Sequence, residues 1–266
     1  MIVRYESDGS IVMITQNDHA QLSGLFAAHW GNKDFEKPRP YGSMVRAAMF
    51  HDRGWIRYET GPQLNPETGK TPNYREVPTD RAQLEAFEWA GDWLSAIDAY
   101  AGLMITRHRT GLWQGRYGVI KHPPAIQRGT LPSDIEAFIA RSEIRQKSAA
   151  EKLNQEELAI NYNLLQVWDM MSLYICSNEQ HKPDRIDPVP VSYSGKRSVA
   201  MTLAPLEVRT IGLDPYPFDQ PYLAASLIFR RLAPTKPTNS DELQAVYFKT
   251  TPEIASFRLV PSGALQ

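Results

Sequence analysis

The chain has 266 residues, 42% of them hydrophobic, enough for one large core or two small ones. Its 29 basic and 30 acidic residues leave a formal net charge of -1, which argues against general nucleic-acid binding. One cysteine, Cys176, excludes an intrachain disulfide framework and a four-cysteine zinc site. A charge at Arg4 precedes any apolar run, so no signal peptide is expected, and no stretch approaches the roughly 18 apolar residues of a membrane span. A cytoplasmic protein is the expectation.

In chain order, Ile2–Tyr5 and Ile11–Ile14 flank Asp8-Gly9 and predict a hairpin. A helix is expected from about Asn17 to Trp30, capped by Thr15 or Asn17 and ended by Gly31. It would carry His19, Leu22, Phe26 and His29 on one side. A second helix starts near Ser43, carries Met44, Ala48 and His51, and stops at Gly54. Residues 56 to 80, rich in proline, read as a long loop of the length that covers sites. Helix returns from about Asp80 to His108, broken near Gly91, and Gly111, Gly115 and Gly118 then read as a loop. Two more helices are expected, from Ser133 to about Leu153 and from Gln155 to Cys176, the second with Leu158, Tyr162, Leu165, Asp169 and Ser172 on one face. Beyond Pro183, strands are expected at Val208–Leu213, Leu223–Leu232, Val246–Thr250 and Ala255–Val260. The expected architecture is therefore mainly α with a β-rich attachment (α+β), in a single domain. A helical body over about 15 to 180 would carry a small antiparallel sheet from the N-terminal hairpin and strands within about 184 to 262.

Four residues carry the chemistry. His51 and Asp52 are adjacent where a helix ends, so both can reach one ion despite the 100° between neighbours on a helix. A neutral imidazole with a carboxylate suits divalent zinc, iron or manganese. Asp169 lies in the apolar run Leu164-Leu165-Gln166-Val167-Trp168-Asp169-Met170-Met171, where an unpartnered carboxylate is costly. An Asp that caps another element or pairs with an arginine is the competing reading. His19 shares a face with Leu22 and Phe26, where a histidine can equally be a hydrogen-bonded core residue. His108 stands between Arg107 and Arg109; guanidinium groups suit phosphate oxygens, and the imidazole suits a metal, a substrate oxygen or general acid chemistry. The plainer alternative is a pair of solvated or salt-bridged arginines.

The order His, then His-Asp, then a distant Asp, each on a helix, resembles the HD-domain superfamily of metal-dependent phosphohydrolases over roughly residues 15 to 180. The resemblance implies metal ligation by His19, His51, Asp52 and Asp169, one ion or two, and hydrolysis of a small-molecule substrate, a phosphoester. Asp52 or His108 would assist catalysis and Arg107 and Arg109 would contact substrate. Many HD hydrolases carry a basic residue or a histidine where this chain has Trp55. The segments Asn17-Asp18-His19-Ala20, His51–Trp55, Arg107–Leu112, Gln166–Asp169 and Asp214–Phe218 are also similar to the signature segments of a bacterial family of unknown function.

His29, His122, His181, Asp98 and Glu59 are further candidates by residue type alone, and Cys176 reads as core. The fuller two-metal sets of HD proteins use more histidines than can be placed here, so a mononuclear site is the first reading. A di-iron oxygenase on the same scaffold and a non-enzymatic metal- or ligand-binding protein are the alternatives. No membrane or nucleic-acid partner is expected; a homo-oligomer is compatible with the sequence.

Overall fold

The computed structural model describes residues 1–115, 131–177, 182–194 and 197–263. His122, His181 and Gly118 lie outside the described residues. The chain opens with the expected hairpin, β1 (Ile2–Tyr5) and β2 (Ile11–Ile14). Gly9 takes a left-handed φ of 83° in its turn, and Asp8 accepts from the Ser10 backbone. Helix α1 (Gln16–His29) follows, with Thr15 accepting from the Asp18 amide as its N-cap.

Next come α2 (Tyr41–Phe50), the single turn α3 (Trp55–Tyr58), α4 (Arg81–Ile97) and α5 (Ala99–Gln114). The break between α4 and α5 falls at Asp98 and not at Gly91. The Asp98 carboxylate caps the start of α5 by accepting from Ala101, and its own amide closes α4 on the Leu94 carbonyl. Gly111 lies inside α5, which ends at Gly115 with φ 68°. Gly91 sits where α4 meets α5: a Cβ there would lie 2.6 Å from Thr106. Helices α6 (Ser133–Ala150) and α7 (Gln155–Ser177) complete the helical stretch.

The C-terminal part departs most from expectation. It contains β3 (Asp184–Pro190), β4 (Ser198–Glu207), β5 (Thr210–Asp214), β6 (Leu223–Leu232), α8 (Ser240–Lys249) and β7 (Glu253–Pro261). All seven strands join one curled sheet in the order β1-β2-β6-β7-β5-β4-β3. The molecule is 46% helix and 22% strand, so the sheet is a major layer and not a small attachment to an HD-like helical core. Nor is it wholly antiparallel, because β7 runs parallel to β5.

The missed strands have physical reasons. β3 contains Pro188 and Pro190, which argue against a strand in the middle of a sheet, but β3 is an edge strand. β4 carries Pro205 beside a register shift opposite β5. Val208, expected within a strand, is 93% exposed in the turn before β5, where Arg209 has φ 57°. Val246–Thr250 has strand-like composition but forms the end of α8; Asn239 caps that helix, and Leu243 and Tyr247, one turn apart, bury against the hairpin residues Met1, Val3 and Ile11.

One buried cluster runs from the helices into the sheet. Phe26 of α1 and Trp30 just beyond its end meet Phe218, and Trp30 meets Trp168 of α7 edge to face at 5.8 Å between ring centroids. A separate cluster forms around Trp55, Phe87, Trp113 and Phe138. The segment between α3 and α4 is anchored to β1: Tyr74 N donates to Met1 O, and Asn73 donates to Val3 O. Among the described residues no helix is long and apolar enough to cross a membrane.

Candidate metal centre

Four helical elements converge on one buried point. α1 brings His19 one turn from its start, the end of α2 brings His51 and Asp52, α5 brings His108, and α7 brings Asp169. His19 Nε2 lies 3.1 Å from Asp52 Oδ2 and 3.7 Å from Asp169 Oδ1. His51 Nε2 lies 3.3 Å from Asp169 Oδ1 and 3.7 Å from Asp52 Oδ2. The His51 ring sits edge-on between His19, at 5.0 Å, and His108, at 4.8 Å. Two overlapping groups, His19/His51/Asp169 and His51/Asp52/His108, each bring candidate ligand atoms within 4.8 Å of one another.

The hydrogen bonds behind the imidazoles decide what they present. His51 Nδ1 lies 2.8 Å from the Ala48 carbonyl, which can only accept, so Nδ1 carries the hydrogen. His19 Nδ1 lies 2.7 Å from Ser172 Oγ. Ser172 donates its own hydrogen to the Asp169 carbonyl at 2.8 Å, so its oxygen accepts from His19. Each neutral imidazole therefore turns an Nε2 lone pair toward carboxylate oxygens. That arrangement is repulsive unless a cation, a proton or a metal ion, lies between. Two imidazoles and two carboxylates suit a divalent transition metal, whose charge the two aspartates balance in a buried setting.

The titration behaviour of the metal-free cluster follows. Burial disfavours a charged His51, but Asp52 and Asp169 outweigh it and push the imidazole up to about 9. Burial likewise opposes the charged carboxylates, yet His51 holds both Asp52 and Asp169 below the ordinary range. His108 goes the other way: burial, then the charge on His51, pushes it down to about 4. It is thus neutral at physiological pH in the metal-free cluster.

The two arginines differ in the groups their charges influence. The charge of Arg109 bears on both Asp52 and His108, whereas that of Arg107 bears on Tyr100. The Arg109 guanidinium stacks 3.7 Å from the Phe87 ring centroid and 4.2 Å from Trp113, with Trp55 at 5.8 Å. Its Nε has no hydrogen-bond partner among the described residues. Arg109, His51, Phe87 and Phe138 line a cavity of about 150 Å³. Trp55 thus helps to wall an arginine from another helix.

The remaining candidates have other partners. Asp98 caps α5 and lies 3.5 Å from Arg46. Glu59 pairs with the Met1 amine and accepts from the Gln16 amide. His29 pairs with Asp219 at 3.0 Å near the surface. Cys176 is buried, and burial pushes its thiol well above its ordinary value. Two contributors carried no sequence signal strong enough to be singled out. Ser172 was placed only on a helical face, and Tyr74 lay in a loop without pattern. Tyr74 stands close enough for Asp169 and Asp52 to act on its hydroxyl; burial first, then those charges, push it up to about 12.

The sequence model of DUF3891, a family of proteins of unknown function, matches residues 1–233. The chain belongs to the DUF3891 family. The matched span of this DUF3891 protein includes all five histidine and aspartate residues of the centre and stops short of α8 and β7. No curated protein and no solved structure gives a significant match to it.

Proposed function

We propose that this protein is a metal-dependent hydrolase, with a chain order of ligands like that of HD-domain enzymes, that cleaves a phosphoester with a metal-activated water. One observation carries the reading: the Nε2 atoms of His19 and His51, set by bonds from Nδ1 to Ser172 and Ala48, face the carboxylates of Asp52 and Asp169. Zinc, iron or manganese bound there would lower the pKa of a coordinated water and polarise a phosphoryl oxygen.

The chain's own residues supply the rest. Asp52 and Asp169 balance the charge, and whichever keeps a free oxygen orients the attacking water. Ser172 and the Ala48 carbonyl hold the imidazoles in the tautomer that ligates. Arg109 offers a guanidinium beside the centre to a phosphate oxygen, and Phe87 and Trp113 keep that group flat and poorly hydrated. The cavity beside His51 and Arg109 would take a small apolar portion of the substrate.

The test is elemental mass spectrometry on the purified protein and on Asp52→Ala and Asp169→Ala, followed by assay against phosphomonoester and phosphodiester chromogenic substrates. Divalent metal in the wild type, lost together with phosphoester cleavage in both variants, supports the proposal. A wild-type protein that takes up no metal after reconstitution overturns it.

A further inference from the structure

We infer that the two histidine–aspartate groups form one site for a single ion, with His108 as its fifth protein ligand, and that this donor set selects six-coordinate iron or manganese over four-coordinate zinc. The inference rests on the reading of the centre as a metal site and adds its ligand number, its ion number and its metal class.

The argument turns on His51, which belongs to both groups. Its Nδ1 hydrogen is committed to the Ala48 carbonyl, so it has one lone pair, at Nε2, and can ligate one ion. If His51 served an ion with His19 and Asp169, a second ion would keep only Asp52 and His108 from its own group. If it served the other, the first would keep only His19 and Asp169. Carboxylates can bridge two metals; a neutral imidazole cannot. Among the described residues, a di-iron centre, which needs two full ligand sets, is therefore disfavoured by the same atom that makes the mononuclear centre coherent.

Ligand atoms about 2.1 Å from a common metal lie about 3.4 Å apart in a tetrahedron, and about 3.0 Å apart when adjacent and about 4.2 Å apart when opposite in an octahedron. The His19–Asp52, His51–Asp169, His19–Asp169 and His51–Asp52 separations run from 3.1 to 3.7 Å, within reach of one ion in either geometry, so the number of ligands decides the metal class. His108 falls within 4.8 Å of the His51 and Asp52 ligand atoms and must close to about 4.2 Å or less to share their ion. Catalytic zinc keeps three protein ligands and one open position. Three imidazoles and two carboxylates exceed that number and fill five places of an octahedron, leaving one for water, a mixed nitrogen and oxygen set suited to iron or manganese.

The experiment uses cobalt(II) as a spectroscopic probe in the metal-stripped full chain, wild type and His108→Ala. Expected are one cobalt per wild-type chain, the weak visible absorption of five- or six-coordinate cobalt, and three exchangeable, paramagnetically shifted imidazole N–H signals in the NMR spectrum. His108→Ala should lose one signal, gain absorption intensity and bind cobalt more than about tenfold less tightly. Two cobalts per chain, the intense bands of tetrahedral cobalt, or only two imidazole signals in the wild type would overturn the inference and leave the metal-hydrolase reading standing. A wild type that takes up no cobalt overturns both. The wild-type spectra decide the matter even if His108→Ala fails to fold.

Discussion

His51 donates from Nδ1 to the carbonyl of Ala48, three residues back at 2.8 Å, and thereby points Nε2 at Asp169 Oδ1, 3.3 Å away on a helix more than a hundred residues later. The end of α2 fixes the imidazole, and α7 supplies the charge it faces. Asp169→Ala removes one member of a buried ionic cluster and leaves the other imperfectly compensated. The metal-stripped variant should lose about 3–5 kcal/mol in urea denaturation, and metal content should fall to background. A variant that keeps wild-type stoichiometry would show that Asp169 is not a ligand.

Ser172→Ala tests the bond behind His19. The hydroxyl accepts from His19 Nδ1 at 2.7 Å while donating to the Asp169 carbonyl, so it orients one ligand from the turn that carries another. Its loss should weaken metal binding about 10- to 100-fold and cost only about 1 kcal/mol of stability. Competition titration against a chelator measures the first and denaturant unfolding the second. Unchanged affinity would mean that packing alone holds His19 in place.

The metal-stripped protein should lose stability in alkali. His51 in the folded chain titrates at about 9, above its ordinary 6.5, because Asp52 and Asp169 outweigh its burial. A raised pKa contributes stability that is complete below about 6.5 and disappears as pH rises through about 9. Asp52 and Asp169 are depressed, so their contribution is present above their ordinary 3.8 and is lost as pH falls through their folded values. His108, titrating at about 4, and the cation of Arg109 face the same cluster and carry fixed charge between pH 6.5 and 9, zero and positive respectively. In chelator, Tm should therefore decline from pH 6.5 to 9, whereas the metal-loaded protein, with no proton on Nε2, should hold its Tm over that interval. Parallel curves with and without metal would contradict the assignment.

What could be read from the sequence was what local patterning controls. His19, Leu22 and Phe26 share a helical face because α1 is a capped helix docked on the core, and α7 buries Asp169 among apolar neighbours at helical spacing. The sheet was harder because its order is non-local. β7 inserts between β6 and β5, antiparallel to one and parallel to the other, and nothing in Glu253–Pro261 names those partners. β3 was hidden by prolines that only an edge position tolerates. α8 was misread because Val246, Tyr247 and Phe248 have strand propensity, which capping by Asn239 and the packing of Leu243 override. At the centre, Arg107 and Arg109 looked equivalent as neighbours of His108. They lie about 200° apart around α5, and the charge of Arg109 bears on Asp52 and His108 while that of Arg107 bears on Tyr100.

Asp98→Ala separates a cap from a ligand. The Asp98 carboxylate accepts from the Ala101 amide at 3.0 Å and lies 3.5 Å from Arg46 Nε, in the one-residue joint between α4 and α5. Loss of the cap should cost about 1 kcal/mol and leave metal stoichiometry unchanged. Loss of bound metal would restore Asp98 to the list of ligands.

Gly54→Ala probes how tightly the turn between α2 and α3 is packed against the wall around Arg109. A Cβ at Gly54 would sit 2.2 Å from Phe87 Cδ1 and 3.1 Å from Phe87 Cα, so turning the Phe87 ring cannot fully relieve the contact. The helix carrying Phe87 must shift, disturbing the stack beneath Arg109. The expected cost is about 1–3 kcal/mol, read as a lowered denaturation midpoint. Because the ring makes the closest contact, Phe87→Leu should suffer less from the added methyl group than the wild-type background does. The double variant should then be more stable than the sum of the two single losses predicts. Strict additivity would show that the methyl group meets the α4 backbone alone and that Phe87 does not couple Gly54 to Arg109.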